Sequence, residues 1–346
     1  MWWTPSIILP YQRNFNFINS ERSIGKTYNT QLYMLKKAIK ENKQFVSLYR
    51  TKKEIENKKR FYKHFEKVVR EQFTDMDINF DTWYCTRKNK YATNKTIILG
   101  QALAISDAVD IKQETFSDTY YLLMEEYMLE QKGKGRQTKQ YVNGWDEPNL
   151  VLNIYHTVDR ESDRVICFFL GNNTAFYNPY HMHPAFNIPY TEKGCIWTSE
   201  NVLFQWAVAD AELMEKKSKC KFLKMIESTQ YGEYAVHGDY IDDNYTMIEK
   251  MTTPCRYLCT IQYMNNSYGV FSDTTKGKIY ISDNFNPNYP LTYALTLDDH
   301  SENTLLTRAS HSTILTWIAK NFKLGNLRYT SMKVKIGIEQ GIRLIL

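Results

Sequence analysis

At 346 residues the chain holds one large or two ordinary domains, and two is the simpler starting point. Its net charge of +6, from 44 Lys+Arg against 38 Asp+Glu, excludes a global field for nucleic acid, so any such surface must be a local patch. The six scattered cysteines form no C-x-x-C pair, no apolar run reaches the ~18 residues a membrane span needs, and Met1-Trp2-Trp3-Thr4-Pro5 does not resemble a signal peptide, which together predict a soluble protein of a reducing compartment.

The first predicted element is a strand over 15–18, followed by Asn19-Ser20-Glu21-Arg22-Ser23-Ile24-Gly25-Lys26-Thr27 and then a helix with apolar Leu32, Leu35, Ala38 and Ile39. This is the strand–loop–helix setting of the phosphate-binding pattern G-x-x-x-x-G-K-[ST], in which backbone N–H groups curl around a phosphate, the lysine reaches the β/γ oxygens and the hydroxyl holds Mg²⁺. Ser20 stands where the first glycine belongs. The bland alternative is an ordinary exposed β–α turn.

A strand over 45–49, a strongly basic helix over 52–70 and strands over 96–99 and 102–105 follow, an alternation that predicts a mostly parallel sheet covered by helices. The apolar run 120–124 then predicts a buried strand ending in Glu125 and Glu126. Between 131 and 140 lies a basic glycine-containing loop with Lys132, Lys134, Arg136 and Lys139. Asp146, Glu147 and Pro148 predict a helix start as N-cap, first-turn acid and first-turn proline, with Leu150, Ile154 and Val158 on its apolar stripe. Arg160 and Arg164 come at its far end, before a buried strand over 165–170 that ends in Gly171, Asn172 and Asn173. An amphipathic helix is expected over 200–224, then short strands and turns, including a hairpin over 268–281. The domain expectation is therefore 1–197, a helical connector over 198–250, and an α+β domain over 251–346.

For triphosphate chemistry, a carboxylate at the end of a neighbouring strand must support the metal and a second must orient the attacking water; Glu125 and Glu126 suit these two roles. Asn172 is placed to sense the γ-phosphate, while Arg160 and Arg164 read either as surface charges or as arginine fingers for a neighbouring subunit. The basic stretch 52–70 and the loop over 132–139 are candidates for salt-sensitive phosphate contacts with DNA. Cys255 with Cys259, and His181 with His183, are pairs without a second pair at ligand spacing, so a metal site there is not expected.

Taken in order, these features resemble the DNA-encapsidation ATPases of small short-tailed bacteriophages, terminase-like ring motors. The resemblance rests on Arg22-Ser23-Ile24-Gly25-Lys26-Thr27, on Gln44-Phe45-Val46 leading to Arg50, on Glu125-Glu126, Thr157-Val158-Asp159-Arg160, Asn172 with Asn178-Pro179-Tyr180, Tyr231-Gly232-Glu233, Ile248-Glu249-Lys250 and Tyr268-Gly269-Val270. It departs at Ser20 and at Glu125, which replaces the usual aspartate. The resemblance implies a P-loop ATPase fold of the ASCE, RecA/FtsK-like class with an RNase H-like terminal domain that has lost its catalytic acids. It implies ATP and Mg²⁺ held by Lys26 and Thr27, Glu125 supporting the metal, Glu126 activating water, and Arg160 acting in trans, with Arg164 a second candidate. It further implies double-stranded DNA gripped by the loop over 132–139 and a ring of five subunits on the portal of the prohead. A packaging RNA in some relatives and residence in the host cytoplasm, outside the mature virion, complete the expectation. Asp273, Asp283, Asp298 and Asp299 raise two-metal nuclease chemistry in the terminal domain, although turn chemistry explains aspartates there equally well, and Lys276, Lys278, Arg328, Lys333 and Lys335 favour nucleic-acid binding. The rival readings are a P-loop phosphotransferase acting on a small acceptor and a nucleotide-gated DNA clamp without turnover.

Overall fold

The computed structural model describes residues 2–58, 61–89, 96–108, 116–129, 141–176, 178–226, 229, 240, 247–252, 254–306 and 312–346. They fall into two units, Met1–Asp242 and Asp243–Leu346. In the first, a nine-stranded sheet is built from β1 (Phe15–Ser20), β2 (Gln44–Tyr49), β3 (Met76–Phe80), β4 (Tyr84–Asn89), β5 (Ile97–Ala104), β6 (Thr119–Glu125), β7 (Ile166–Asn172), β8 (Ile196–Thr198) and β9 (Val202–Trp206), in the order β3-β4-β5-β2-β6-β7-β1-β9-β8. The six strands from β5 to β9 are parallel, and antiparallel pairs are confined to the two margins. Central parallel strands are covered on both faces, which is why β6 and β7 read as continuous apolar runs. Around them lie α1 (Lys26–Glu41), α2 (Lys52–Lys58), α3 (Glu66–Gln72), α4 (Glu147–Asp159), α5 (Ala211–Ser218) and α6 (Lys221–Ile226).

Packing overrides the local reading in three places. The basic helix expected over 52–70 is broken into α2, a 3₁₀ turn over Lys63–Phe65 and α3, because Phe61, Tyr62, Phe65 and Val69 are buried and the rings of Phe61 and Tyr62 lie 6.0 and 4.8 Å from that of Phe45. Tyr62 turns the chain inward at φ +60°. The two strands expected over 96–99 and 102–105 are the single strand β5, kept continuous by Gly100, whose backbone passes so close to the Phe45 ring that any side chain would overlap it.

The helix expected over 200–224 begins only at α5. Its first residues instead form β9, all buried, which fills the place beside β1 with Phe17 opposite Phe204. Asp210 then caps α5 by accepting from the Leu213 N–H at 2.9 Å. The expected boundary at 197–198 consequently falls inside β8, and the first unit runs on to Asp242.

The second unit carries a six-stranded sheet from β10 (Arg256–Tyr263), β11 (Asn266–Asp273), β12 (Lys278–Ser282), β13 (Thr292–Ala294), β14 (Leu305–Leu306) and β15 (Leu327–Tyr329), with α7 (Thr313–Lys323) and α8 (Met332–Arg343). β10–β11–β12 is an antiparallel meander; β13 joins β10 in parallel, β14 joins β13, and β15 joins β12. This is the α+β domain expected. The hairpin over 268–281 is β11–β12, with Val270 opposite Ile281. Ser312 and Ser331 cap the two helices, and Ile318, Val334, Ile338 and Ile342 join Ile261, Val270 and Ile279 in one core.

Candidate nucleotide site

β1 and β7 run in parallel register with Ser20 opposite Asn172, so both side chains stand at the carboxyl ends of adjacent central strands, the edge where open α/β sheets take their ligands. The chain leaves β1 through left-handed turns at Ser23 (φ +65°) and Gly25 (φ +91°), and a Cβ at Gly25 would lie 3.0 Å from the Asn29 amide and 3.1 Å from the Trp2 ring, so glycine is required there. Lys26 opens α1, is 6% exposed, and donates from Nζ to Ser20 Oγ at 2.9 Å and Asn172 Oδ1 at 3.1 Å. Ser20 in turn donates to the Glu21 carbonyl at 2.7 Å. The serine in place of glycine is thus a partner of the lysine, a role that sequence pattern alone does not signal.

Arg22 and Ser23 are exposed, Ile24 is buried with its carbonyl accepting from Trp3 N–H at 3.0 Å, and Thr27 is half-buried beside Lys26. The loop is also held from behind: Lys217 of α5 donates to the Arg22 carbonyl at 2.8 Å and lies 3.5 Å from the Glu21 carboxylate, which accepts from Ala209 N–H at 3.1 Å.

Burial lowers the Lys26 ammonium to about 7, against the opposing pull of Glu21. The sign of the consequence is definite. Above pH 7 the free protein holds Lys26 largely neutral, whereas a bound triphosphate requires the cation, so binding takes up a proton. ATP affinity is expected to fall by up to about tenfold per pH unit as pH rises from 7 towards 9. Calorimetric titrations in buffers of different ionisation enthalpy would register the proton; a flat affinity over that interval would contradict the assignment.

Glu125 ends β6, half-buried, and Glu126 follows at φ +52°, exposed. One Glu125 oxygen accepts from the Gln31 side-chain amide, whose own oxygen lies 3.0 Å from His64 Nε2. The turn after Glu126 is fixed by Arg50, at the end of β2, which donates to the carbonyls of Glu126 (3.0 Å) and Tyr127 (2.9 Å) and forks onto the Glu147 carboxylate at 3.0 and 2.8 Å. Glu147 is fully buried and also accepts from Val142 N–H at 2.6 Å and the Tyr180 hydroxyl at 2.8 Å. It is the first-turn acid of α4 that the sequence suggests and, in addition, a buried counter-ion. Asp146 does not cap the helix with its side chain, which accepts from Asn143 and Asn149 instead. A cleft of about 280 Å³ lined by Tyr49, Arg50, Glu54, Asn57, Glu125 and Glu126 opens beside this network.

Mg²⁺ asks for hard oxygen donors. The Thr27 hydroxyl and Glu125 carboxylate supply them, and because Gln31 lies one helical turn after Thr27 yet bonds Glu125, Thr27 is on the helix face turned towards β6. The residues present fit the ion.

Arg160 is elsewhere. α4 begins at the Arg50–Glu147 network and ends at the opposite, amino-terminal margin of the sheet, where Arg160 terminates it exposed and at φ +49°. That placement is incompatible with action on the same chain's site. Asp159 fixes the loop that follows by accepting from the N–H groups of Ser162, Asp163, Arg164 and Val165 at 2.9–3.0 Å. Burial opposes ionisation of Asp159, but these bonds outweigh it and hold the carboxyl below its usual range. Arg164 donates to the carbonyls of Phe116, Val158, Asp159 and Thr119, so its guanidinium is a structural clamp and not a second finger.

Lys132, Lys134, Arg136 and Lys139 lie outside the described residues, as does Tyr231-Gly232-Glu233. In the second unit Lys278 and Arg328 converge on Glu249 at 2.6 and 3.3 Å, Lys276 bonds Thr252, and Lys335 is buried 4.0 Å from Glu339. Four of the five expected nucleic-acid-binding cations thus have partners within the domain. Asp273 accepts from Thr275 and Lys276 N–H, and Asp299 from Met264 and Asn265 N–H, which is turn chemistry. His181 is buried 2.7 Å from the Tyr127 hydroxyl, and among the described residues no cluster of three metal-ligating side chains occurs. No described helix is long and apolar enough to cross a membrane.

The family model for the podovirus DNA encapsidation protein (Gp16) matches residues 1–342. The DNA packaging proteins of Bacillus phages PZA and phi29 are each 25% identical to this chain over 337 residues, 97% of this chain and 95% of theirs. Among solved structures, a chain of the bacteriophage phi29 viral genome packaging motor assembly superposes with a TM-score of 0.69 at 24% identity, covering 100% of this chain and 99% of its own, and the Phi-28 gp11 DNA packaging motor with 0.59 at 16%, covering 99% and 97%. Those structural likenesses speak for the fold. With the family match spanning almost every residue, the chain belongs to the podovirus DNA encapsidation protein (Gp16) family.

Proposed function

We propose that the protein hydrolyses ATP to drive double-stranded viral DNA into the prohead. The observation that carries this reading is the placement of Lys26 between Ser20 and Asn172 at the carboxyl ends of β1 and β7, with Glu125 and Glu126 at the end of β6 next to β7. Lys26 and the N–H groups of the loop over 22–27 grip the triphosphate, Thr27 and Glu125 hold Mg²⁺, Glu126 orients the attacking water, and Asn172 senses the γ-phosphate. Bound Mg²⁺ would supply neutralisation of the phosphate oxygens. The basic residues Lys132, Lys134, Arg136 and Lys139 grip the DNA backbone through salt-sensitive contacts, and the second unit adds a nucleic-acid-binding surface without nuclease activity. By resemblance the working form is a ring of five subunits on the portal, with a packaging RNA in some relatives, acting in the host cytoplasm.

Arg160 supports the ring. A guanidinium at the margin of the sheet opposite its own nucleotide site has a role in hydrolysis only if a neighbour's site receives it. Its loss is expected to reduce turnover by about 10³-fold or more. Mixing Arg160→Ala with Glu126→Gln protein, each inactive alone, is expected to restore part of the phosphate release, because some interfaces then pair an intact Arg160 with an intact Glu126. Release that stays at the level of the separate variants would overturn the shared site.

A further inference from the structure

Glu125 poses a question that the proposed metal site leaves open. It has one more methylene than the usual aspartate, hence one more torsion to immobilise before its carboxylate can serve the metal. The side chain is nevertheless tethered. Gln31 is 5% exposed and donates its amide N–H to one Glu125 oxygen, while its own amide oxygen lies 3.0 Å from His64 Nε2. With a proton on Nε2, His64 donates to that oxygen and leaves the amide nitrogen of Gln31 to face Glu125. His64 is exposed, but its ring rests against Phe65, 4.0 Å between centroids, and Phe65 is fully buried. Three side chains from three elements thus form one directed chain, His64 to Gln31 to Glu125.

We infer that Gln31, oriented by His64, is the positioning residue that fits a glutamate to the metal-supporting place at the end of β6. Its bond to one carboxylate oxygen fixes the torsions of the longer side chain, and because Gln31 follows Thr27 by one turn on the same helix face, both donors are set by α1. The arrangement also divides labour between the adjacent acids: Glu125 is tethered and half-buried for the metal, and Glu126 lies exposed beyond the strand end for the water. The inference rests on the metal reading of Thr27 and Glu125 given above.

The test is Mn²⁺ affinity by electron paramagnetic resonance, using the full chain with a non-hydrolysable ATP analogue, alongside analogue affinity in EDTA. Gln31→Met keeps the volume and removes the donor. It is expected to weaken Mn²⁺ binding by about 10–100-fold, the range for residues that orient metal ligands, with metal-free analogue binding unchanged. His64→Phe, which keeps an aromatic ring against Phe65, is expected to shift Mn²⁺ affinity in the same direction by a smaller factor, and it carries the test should Gln31→Met fail to fold. Unchanged Mn²⁺ affinity in these variants, where Glu125→Ala loosens the ion, overturns the positioning role alone. If Glu125→Ala and Thr27→Ala also leave Mn²⁺ binding unchanged, the metal reading fails and the inference falls with it.

Discussion

Replacement of Glu126 by glutamine is expected to lower ATP turnover by about 10²–10⁴-fold while leaving ATP binding within a few-fold of wild type, the range by which a positioned general base contributes. The two effects separate because the groups proposed to grip the triphosphate, Lys26 and the N–H groups of the loop over 22–27, belong to the β1–α1 connection and the start of α1, whereas Glu126 stands just past β6. The substitution also leaves the backbone in place. Arg50 grips the carbonyls of residues 126 and 127, not the Glu126 side chain, so the left-handed turn persists in the variant. Single-turnover phosphate release with fluorescent-nucleotide binding would read both quantities. A parallel loss of binding and turnover would place Glu126 among the groups that hold the ligand.

The largest effect on stability is expected from Glu147→Ala. Arg50 and Glu147 are 4% and 0% exposed, and removing the carboxylate strands a guanidinium in the interior together with the Tyr180 hydroxyl and the Val142 N–H. Breaking a buried pair from one side costs about 3–5 kcal/mol, which for a unit of this size lowers Tm by roughly 6–20 °C. Replacing both partners with apolar residues, Arg50→Met with Glu147→Leu, is expected to recover only the part lost to the uncompensated charge, since the Tyr180 hydroxyl, the Val142 N–H and the carbonyls of Glu126 and Tyr127 still lack these partners. The double variant would still turn over poorly, because the carbonyls of Glu126 and Tyr127 lose their anchor. Thermal melts of the single and double variants check the first claim and phosphate release the second; a single variant that melts like wild type would mean the pair is not sealed from water.

Which parts of the fold were legible follows from where the information lies. The strand–loop–helix over 15–41 and the strands ending in Glu125 and Asn172 are readable, because strand, turn glycine and helix follow at short spacing and central parallel strands are apolar throughout. The burial of Glu147 was not legible. A solvated first-turn acid and a buried one share the same local sequence, and the partner that decides between them, Arg50, lies 97 positions away. β9 was misread for a related reason: apolar residues at 202–206 suit a helix face or a covered strand, and the vacant place beside β1 selects the strand. The helix expected over 52–70 failed where Phe61, Tyr62 and Phe65 had to reach the core. Ser20 looked like a defect in the loop pattern and is instead a ligand of Lys26, which appears only once β1 and β7 are set side by side.

The most direct test of ATP-driven DNA translocation is phosphate release from ATP by concentrated protein with and without double-stranded DNA, measured for wild type and Lys26→Ala. The account predicts release by wild type that rises with DNA, falls as salt is raised, and is absent in Lys26→Ala. Wild-type release that is indifferent to DNA but depends on a small-molecule acceptor would contradict it and identify a phosphotransferase.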